Sequence, residues 1–147
     1  MGEIVTTIEI DRPPSEVFPY VTDPSRFNEW QPSAVSGETK GAAAVGSTCT
    51  VTRKVGGMNR TSTSEIIELE PPTRWAIRGL DGPVRADVSV LIEPTDEGRH
   101  SRVTVRFDMA GHGLGKLIAP MVIGQVRKEV PTSCSNLKRN LEASSSS

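Results

Sequence analysis

With 147 residues, 24% charged side chains and a formal net charge of −1, the chain suffices for one domain with its own core. It carries no global field that would draw it to nucleic acid or to an acidic membrane. Aromatic residues make up only 4%, too few for the stacking platforms of single-strand binders, and no run approaches the ~20 apolar residues of a transmembrane helix.

In chain order, residues 3–11 alternate, with Ile4, Thr6, Ile8 and Ile10 on one side and Val5, Thr7, Glu9 and Asp11 on the other. That pattern predicts a strand. No charged-then-apolar leader precedes it, so the reading is a cytoplasmic protein. Pro13-Pro14-Ser15-Glu16 ends the strand and opens a helix, because proline is tolerated in a first helical turn. Val17, Phe18 and Val21 form its apolar face, and Pro19 keeps it short or distorted. Asp23-Pro24 caps and starts a second short helix that carries Phe27 and ends near Trp30.

From there the chain turns to β. A weak strand is predicted over 34–39, a small-residue turn over 41–46 and a strand over 47–54, in which Thr48, Thr50 and Thr52 alternate with Cys49, Val51 and Arg53. Val55-Gly56-Gly57 signals a hairpin into a long strand over 58–70. Pro71-Pro72 leads to a strand over 74–80, and Asp81-Gly82-Pro83 to one over 84–93. A turn over 94–98 precedes the last strand, 102–109. Val84, Ala86, Val88, Val90 and Ile92 share one face, as do Val103, Val105, Phe107 and Met109. Alternating runs punctuated in this way mean an antiparallel meander.

The closing long element spans 114–142. Leu114, Leu117, Ile118, Met121, Val122, Val126, Val130, Cys134, Leu137 and Leu141 recur in steps of three and four, the mark of one helix face. Pro120 and Pro131 predict bends in it. The order of strand, two small helices, six strands and a long helix gives one α+β domain over 1–143, followed by a serine run, 144–147, expected to fray.

These residues and their punctuation resemble the START-like, Bet v 1-like superfamily (SRPBCC), in its polyketide cyclase/dehydrase-type bacterial branch. The likeness rests on Ile8-Glu9-Ile10-Asp11 with Pro13 and Glu16-Val17-Phe18, on Tyr20-Val21-Thr22-Asp23-Pro24 with Trp30, and on Glu65 running to Pro71-Pro72-Thr73-Arg74. Asp81-Gly82-Pro83 and the closing Asn136-Leu137-Lys138 with Leu141-Glu142 complete it. The resemblance implies a helix-grip fold: a seven-stranded curved antiparallel sheet around the long C-terminal helix, with a hydrophobic cavity between them. Pro131 departs from the smoother helix of relatives and bears on the shape of the cavity floor. The cavity also has a physical rationale: short Val, Ile, Ala and Thr side chains leave a curved sheet incompletely filled, and apolar hollows with a few polar groups take ligands.

Candidate ligand contacts follow from position. Trp30 and Trp75 each offer a large ring with one N–H donor, and Ile77 stands in step behind Trp75. Met58, Met109 and Met121 suit an adaptable apolar wall, though each also suits ordinary core. Gln125, beside the helix stripe, can offer an amide to a ligand oxygen. Period two sends Arg78, Arg85 and Asp87 outward, so few charges are expected inside. His112 at the helix entrance is the one candidate acid/base, weighed against a structural role, while His100 sits in a solvated turn. Gly111 to Lys116 falls one residue short of a phosphate loop, with Leu117 where a Ser or Thr would hold magnesium. Cys49 and Cys134 match no metal-ligand spacing and read as reduced, inert thiols; neither a metal nor a cofactor is indicated.

Three functions remain open on this reading. The first is binding of a hydrophobic or amphipathic small molecule of the lipid, polyketide or isoprenoid class, without nucleic acid and without stable membrane insertion. The second is a polyketide cyclase or dehydratase, which needs a polar group inside the cavity. The third is a protein-interaction module using the outer face of the sheet. Catalytic residues and oligomeric state are not legible.

Overall fold

The computed structural model describes residues 2–143; the serine run 144–147, expected to fray, lies outside them. Seven strands form one antiparallel sheet in the order β1-β7-β6-β5-β4-β3-β2. They are β1 (Gly2–Ile10), β2 (Ala34–Thr39), β3 (Thr48–Val55), β4 (Met58–Glu70), β5 (Arg74–Gly79), β6 (Val84–Thr95) and β7 (His100–Gly111). Helix α1 (Pro14–Val21) and a 3₁₀ helix (Pro24–Glu29) carry the chain from one edge strand, β1, to the other, β2. Helix α2 (Gly115–Ala143) closes the described chain. The architecture is the helix grip that the family resemblance implies.

Local chemistry explains the breaks. Gly56 (φ 59°) and Gly57 (φ 84°) occupy the left-handed region at both central positions of the β3–β4 turn, which a two-residue hairpin requires and a Cβ resists. Asp23 caps the 3₁₀ helix, its carboxylate accepting from the Ser25 N–H at 3.0 Å. Several strand bounds differ from expectation, among them β7, which starts at His100 and ends at Gly111, and β4 is bulged. Strand β6 runs on to Thr95, with Pro94 opposite Ser101, because the reversal begins only at Asp96, Glu97 and Gly98, all at positive φ. In β4 the register slips between Ile66 and Glu68, so that Ile66 and Leu69 both face inward, opposite Ile77 and Trp75. Such a bulge sharpens the local twist and helps the sheet curl.

The concave face buries Ile10, Ile66, Val90, Ile92, Val103 and Val105 against Val17, Phe18 and Val21 of α1 and Leu137 and Leu141 of α2. Helix α2 continues through Pro120 and Pro131 without interruption, but its two halves pack differently. The first turns meet the sheet through Gly115 and Ala119, both buried, and a Cβ at Gly115 would overlap the Pro83 backbone. So close an approach selects small residues for the inner side. Leu114, Leu117 and Met121, expected on the covered stripe, are turned outward and are 84%, 80% and 56% exposed.

The last turn is clamped to the β1–α1 junction. The Asp11 N–H donates to Glu142 Oε2 at 2.9 Å, Lys138 Nζ donates to the same oxygen at 2.7 Å and to the Glu9 carbonyl at 2.7 Å, and Arg12 Nη2 donates to the Glu142 carbonyl at 2.6 Å. Burial alone would raise the Glu142 pKa; the bonds from Lys138 and the Asp11 N–H, with the charges of Lys138 and Arg12, bring it below the ordinary glutamate value. A depressed carboxyl pKa contributes stability above the unfolded value of ~4.3, and that contribution is lost as pH falls through the folded pKa. Urea unfolding across an acid pH series checks this: Glu142→Gln is expected to lower stability at neutral pH and to flatten part of the acid slope. An unchanged slope would contradict the clamp.

Candidate functional site

The register fixes which side chains face α2. Ile66 pairs with Ile77, so the same face of β4 carries Ser64, Ser62 and Arg60, and through the β3 pairing it carries Cys49, Val51 and Arg53. The inner face therefore holds a guanidinium at Arg53, one of the few charges expected inside but not singled out in the sequence. The alternation Cys49, Val51, Arg53 already put that residue on the inner side; only its weight was missed.

Arg53 lies beside an aromatic cluster. Phe27 meets Trp30 edge-on, with centroids 5.9 Å apart at 82°, and meets Trp75 at 6.4 Å and 83°. All three rings are buried, and the Arg53 Cζ stands 6.0 Å from the Phe27 centroid, at the reach of a cation–π contact. The 3₁₀ helix supplies Phe27, Trp30 caps its end, and β5 supplies Trp75.

Two donors in this cluster lack acceptors among the described residues. Trp30 is only 8% exposed, and its buried Nε1–H has no partner. The Arg53 guanidinium makes neither a hydrogen bond nor an ion pair; burial pushes its pKa down, and the charge of Glu129 on α2 opposes that. A guanidinium stays charged regardless. Glu129 is itself engaged, its Oε2 accepting from the Ser33 N–H at 3.1 Å and Oγ–H at 2.8 Å. A buried donor left unmade costs about 1–3 kcal/mol, more when charged. The half-buried guanidinium of Arg53 thus gives the inner face a positive, donor-only group that suits a carboxylate, an enolate or a carbonyl oxygen.

Away from the cluster the seam between helix and sheet, here called the crevice, is edged by half-buried Val88 and Phe107 on the sheet and Ile118, Val122 and Val126 on α2. Two hollows lie elsewhere. One, of about 560 Å³, sits between α1, the 3₁₀ helix and the last turn of α2. Its polar groups serve one another: Asn140 Nδ2 donates to the Tyr20 hydroxyl at 3.0 Å, and Arg26 grips Glu29 through Nε at 3.2 Å and Nη2 at 3.1 Å. The other, of about 330 Å³, lies on the convex face, lined by Arg78, Arg85, Asp87, Asp108 and His112.

The residues singled out in the sequence are dispersed accordingly. Trp30, Trp75 and Ile77 are buried at the aromatic end. Met109 is buried on β7, opposite Ala86. Met58, 62% exposed, and Met121 stand at the open end. Gln125 spends its amide on the fold, Nε2 donating to the Lys54 carbonyl at 3.1 Å and tying α2 to the β3–β4 hairpin. His112 is exposed and belongs to the convex-face hollow rather than to the crevice. No described group of three or more His, Cys, Asp or Glu side chains is placed to hold a metal, and no described helix is long and apolar enough to cross a membrane.

Comparison with known proteins agrees with this architecture. A family model described as polyketide cyclase / dehydrase and lipid transport matches residues 1–142. No curated protein matches the sequence. Among solved structures, TTHA0849 from Thermus thermophilus superposes with a TM-score of 0.79 at 18% identity, covering 98% of this chain and 99% of that one. The Zhui aromatase/cyclase from Streptomyces sp. R1128 gives 0.77 at 13% identity over 99% and 98% of the two chains. A START superfamily protein from Mycobacterium smegmatis gives 0.73 at 12% identity over 95% and 98%. Identities this low establish the shared fold alone.

The unpaired guanidinium generates a stability prediction. Arg53→Met keeps the stem and removes a half-buried charge that has no partner, so the ligand-free protein is expected to gain about 1 kcal/mol in denaturant unfolding. A loss of similar size would mean that the guanidinium has a stabilising partner.

Proposed function

The chain belongs to the polyketide cyclase / dehydrase and lipid transport family, and from that premise we propose that it binds an amphipathic small molecule between α2 and the sheet. The apolar body lies along Val88, Phe107, Ile118 and Val122, and the oxygen-bearing end meets Arg53 and Trp30. One observation carries this reading: a buried indole N–H and a half-buried guanidinium stand without acceptors beside an apolar crevice. A ligand oxygen would satisfy what the chain leaves unmade. Lipid, polyketide and isoprenoid acids or ketones all fit that chemistry. The free thiols of Cys49 and Cys134 suit a reducing, cytoplasmic setting.

Cyclisation of a poly-keto chain is the second reading, and the same donors favour it. A guanidinium aimed at a carbonyl stabilises the enolate that forms when the neighbouring carbon loses a proton. The proton needs an acceptor, however, and the described crevice offers little: His112 lies outside it and Glu129 is held by Ser33. Binding therefore ranks above turnover.

Native mass spectrometry of gently purified protein, with solvent extraction of what it carries, identifies a resident ligand. A matched pair then tests the anchor. A long-chain carboxylate is expected to bind, and Arg53→Met to weaken it about tenfold or more, while the methyl ester of the same acid is affected far less. Equal binding of acid and ester, or an indifferent Arg53→Met, would overturn the proposal. Conversion of a poly-keto compound by the protein would move the cyclase reading to first place.

A further inference from the structure

We propose that the open end of the crevice is a docking surface for anionic lipid membranes, on which the protein rests without spanning. Topology brings three segments to that end: the β3–β4 hairpin, the β5–β6 turn and the first turns of α2. They are tied into a rim by named bonds. Gln125 Nε2 donates to the Lys54 carbonyl at 3.1 Å, the Leu80 N–H to the Thr63 carbonyl at 2.9 Å, and the His112 N–H to the Pro83 carbonyl at 2.8 Å.

Each segment projects apolar side chains into solvent. Met58 stands at the hairpin, Leu80 in the turn, and Leu114, Leu117 and Met121 on the helix, all exposed. Isolated apolar residues on a surface need no explanation, but five gathered at one end do. Two of them are leucines more than three-quarters exposed, and the packing of Gly115 and Ala119 is what turns them out.

Charge indicates what covers them. Residues 54–60, 79–85 and 111–121 carry Lys54, Arg60 and Lys116 against the single carboxylate of Asp81, while Arg85 shares the convex-face hollow with Asp87 and Asp108. The Asp81 carboxylate is engaged, accepting from the Thr63 N–H at 2.8 Å. The chain as a whole has a net charge of −1, so the rim is a local reversal of sign. Its apolar side chains come from three separate segments, with cations interspersed. This pattern suits a headgroup layer, where apolar tips enter the acyl boundary and cations meet lipid phosphates.

Flotation of the ligand-free full chain with vesicles tests the surface apart from occupancy of the crevice. The protein is expected to float with vesicles of phosphatidylcholine and phosphatidylglycerol, to be released by salt, and to remain behind with phosphatidylcholine alone. Leu114→Gln with Leu117→Gln should reduce the partition about tenfold or more. Lys116→Glu should reduce it about tenfold on anionic vesicles. All three sites are exposed, and an unchanged circular dichroism spectrum confirms folding; Met121→Gln serves as the second variant. No preference for anionic vesicles, or an undiminished partition of the leucine variant, overturns the proposal. So does concentration-dependent self-association that the leucine variant abolishes without any vesicle binding, which would make the patch a contact between copies of the chain.

Discussion

The fold depends on how α2 is held at its two ends. At the N-terminus the helix comes so near the β5–β6 turn that Gly115 has no room for a side chain. At the C-terminus Glu142, Lys138 and Arg12 lock the last turn to the start of α1, above a core that includes Leu137 and Leu141. Between these points the helix crosses a curved sheet whose inward side chains are mostly short. The helix is held at both ends over a concave surface, and between those ends Ile118, Val122 and Val126 stay half-buried. The close approach at Gly115 also decides which side of the first turns faces out, so the same constraint creates both the crevice and the apolar rim.

Within this frame the aromatic cluster is the place where the molecule holds unspent polar capacity. Phe27, packed edge-on against Trp30 and Trp75, stands beside the half-buried Arg53, and partial removal of water strengthens whatever the guanidinium meets. Glu129 supplies a balancing charge, yet it is drawn into the Ser33 backbone and hydroxyl instead of closing an ion pair. A protein selected for stability alone would replace Arg53 with an apolar residue of similar length. Retaining it is a local cost that makes sense at a binding site.

Most of the fold was legible in the sequence, because alternation, proline and glycine report directly on strands and turns. The face assignments of Val84 to Ile92 and of Val103 to Met109 hold, as do the outward Arg78, Arg85 and Asp87. The site was less legible. Arg53 stood in plain alternation with Val51, but a charged residue on an inner face is recognised as important only when its neighbours are known, and Phe27, Trp30 and Glu129 come from distant parts of the chain. The helix stripe misled for a different reason: periodicity gives a face but not its rotation against the sheet, and the small residues Gly115 and Ala119 took the inner side expected for Leu114, Leu117 and Met121. Gln125 was read as a ligand contact and His112 as a possible acid/base, while what they meet, the Lys54 carbonyl and the convex-face hollow, lies outside what a sequence pattern encodes.

The central claim is that the Trp30 N–H and the Arg53 guanidinium await an oxygen from a ligand. The chain has only two tryptophans, so its amide-region NMR spectrum contains two indole N–H resonances, which a Trp75→Phe sample assigns. Titration with a long-chain carboxylate is expected to move the Trp30 indole proton downfield as it gains an acceptor, and Arg53→Met to abolish that shift. A Trp30 resonance that stays in place while ligand binds would contradict the account.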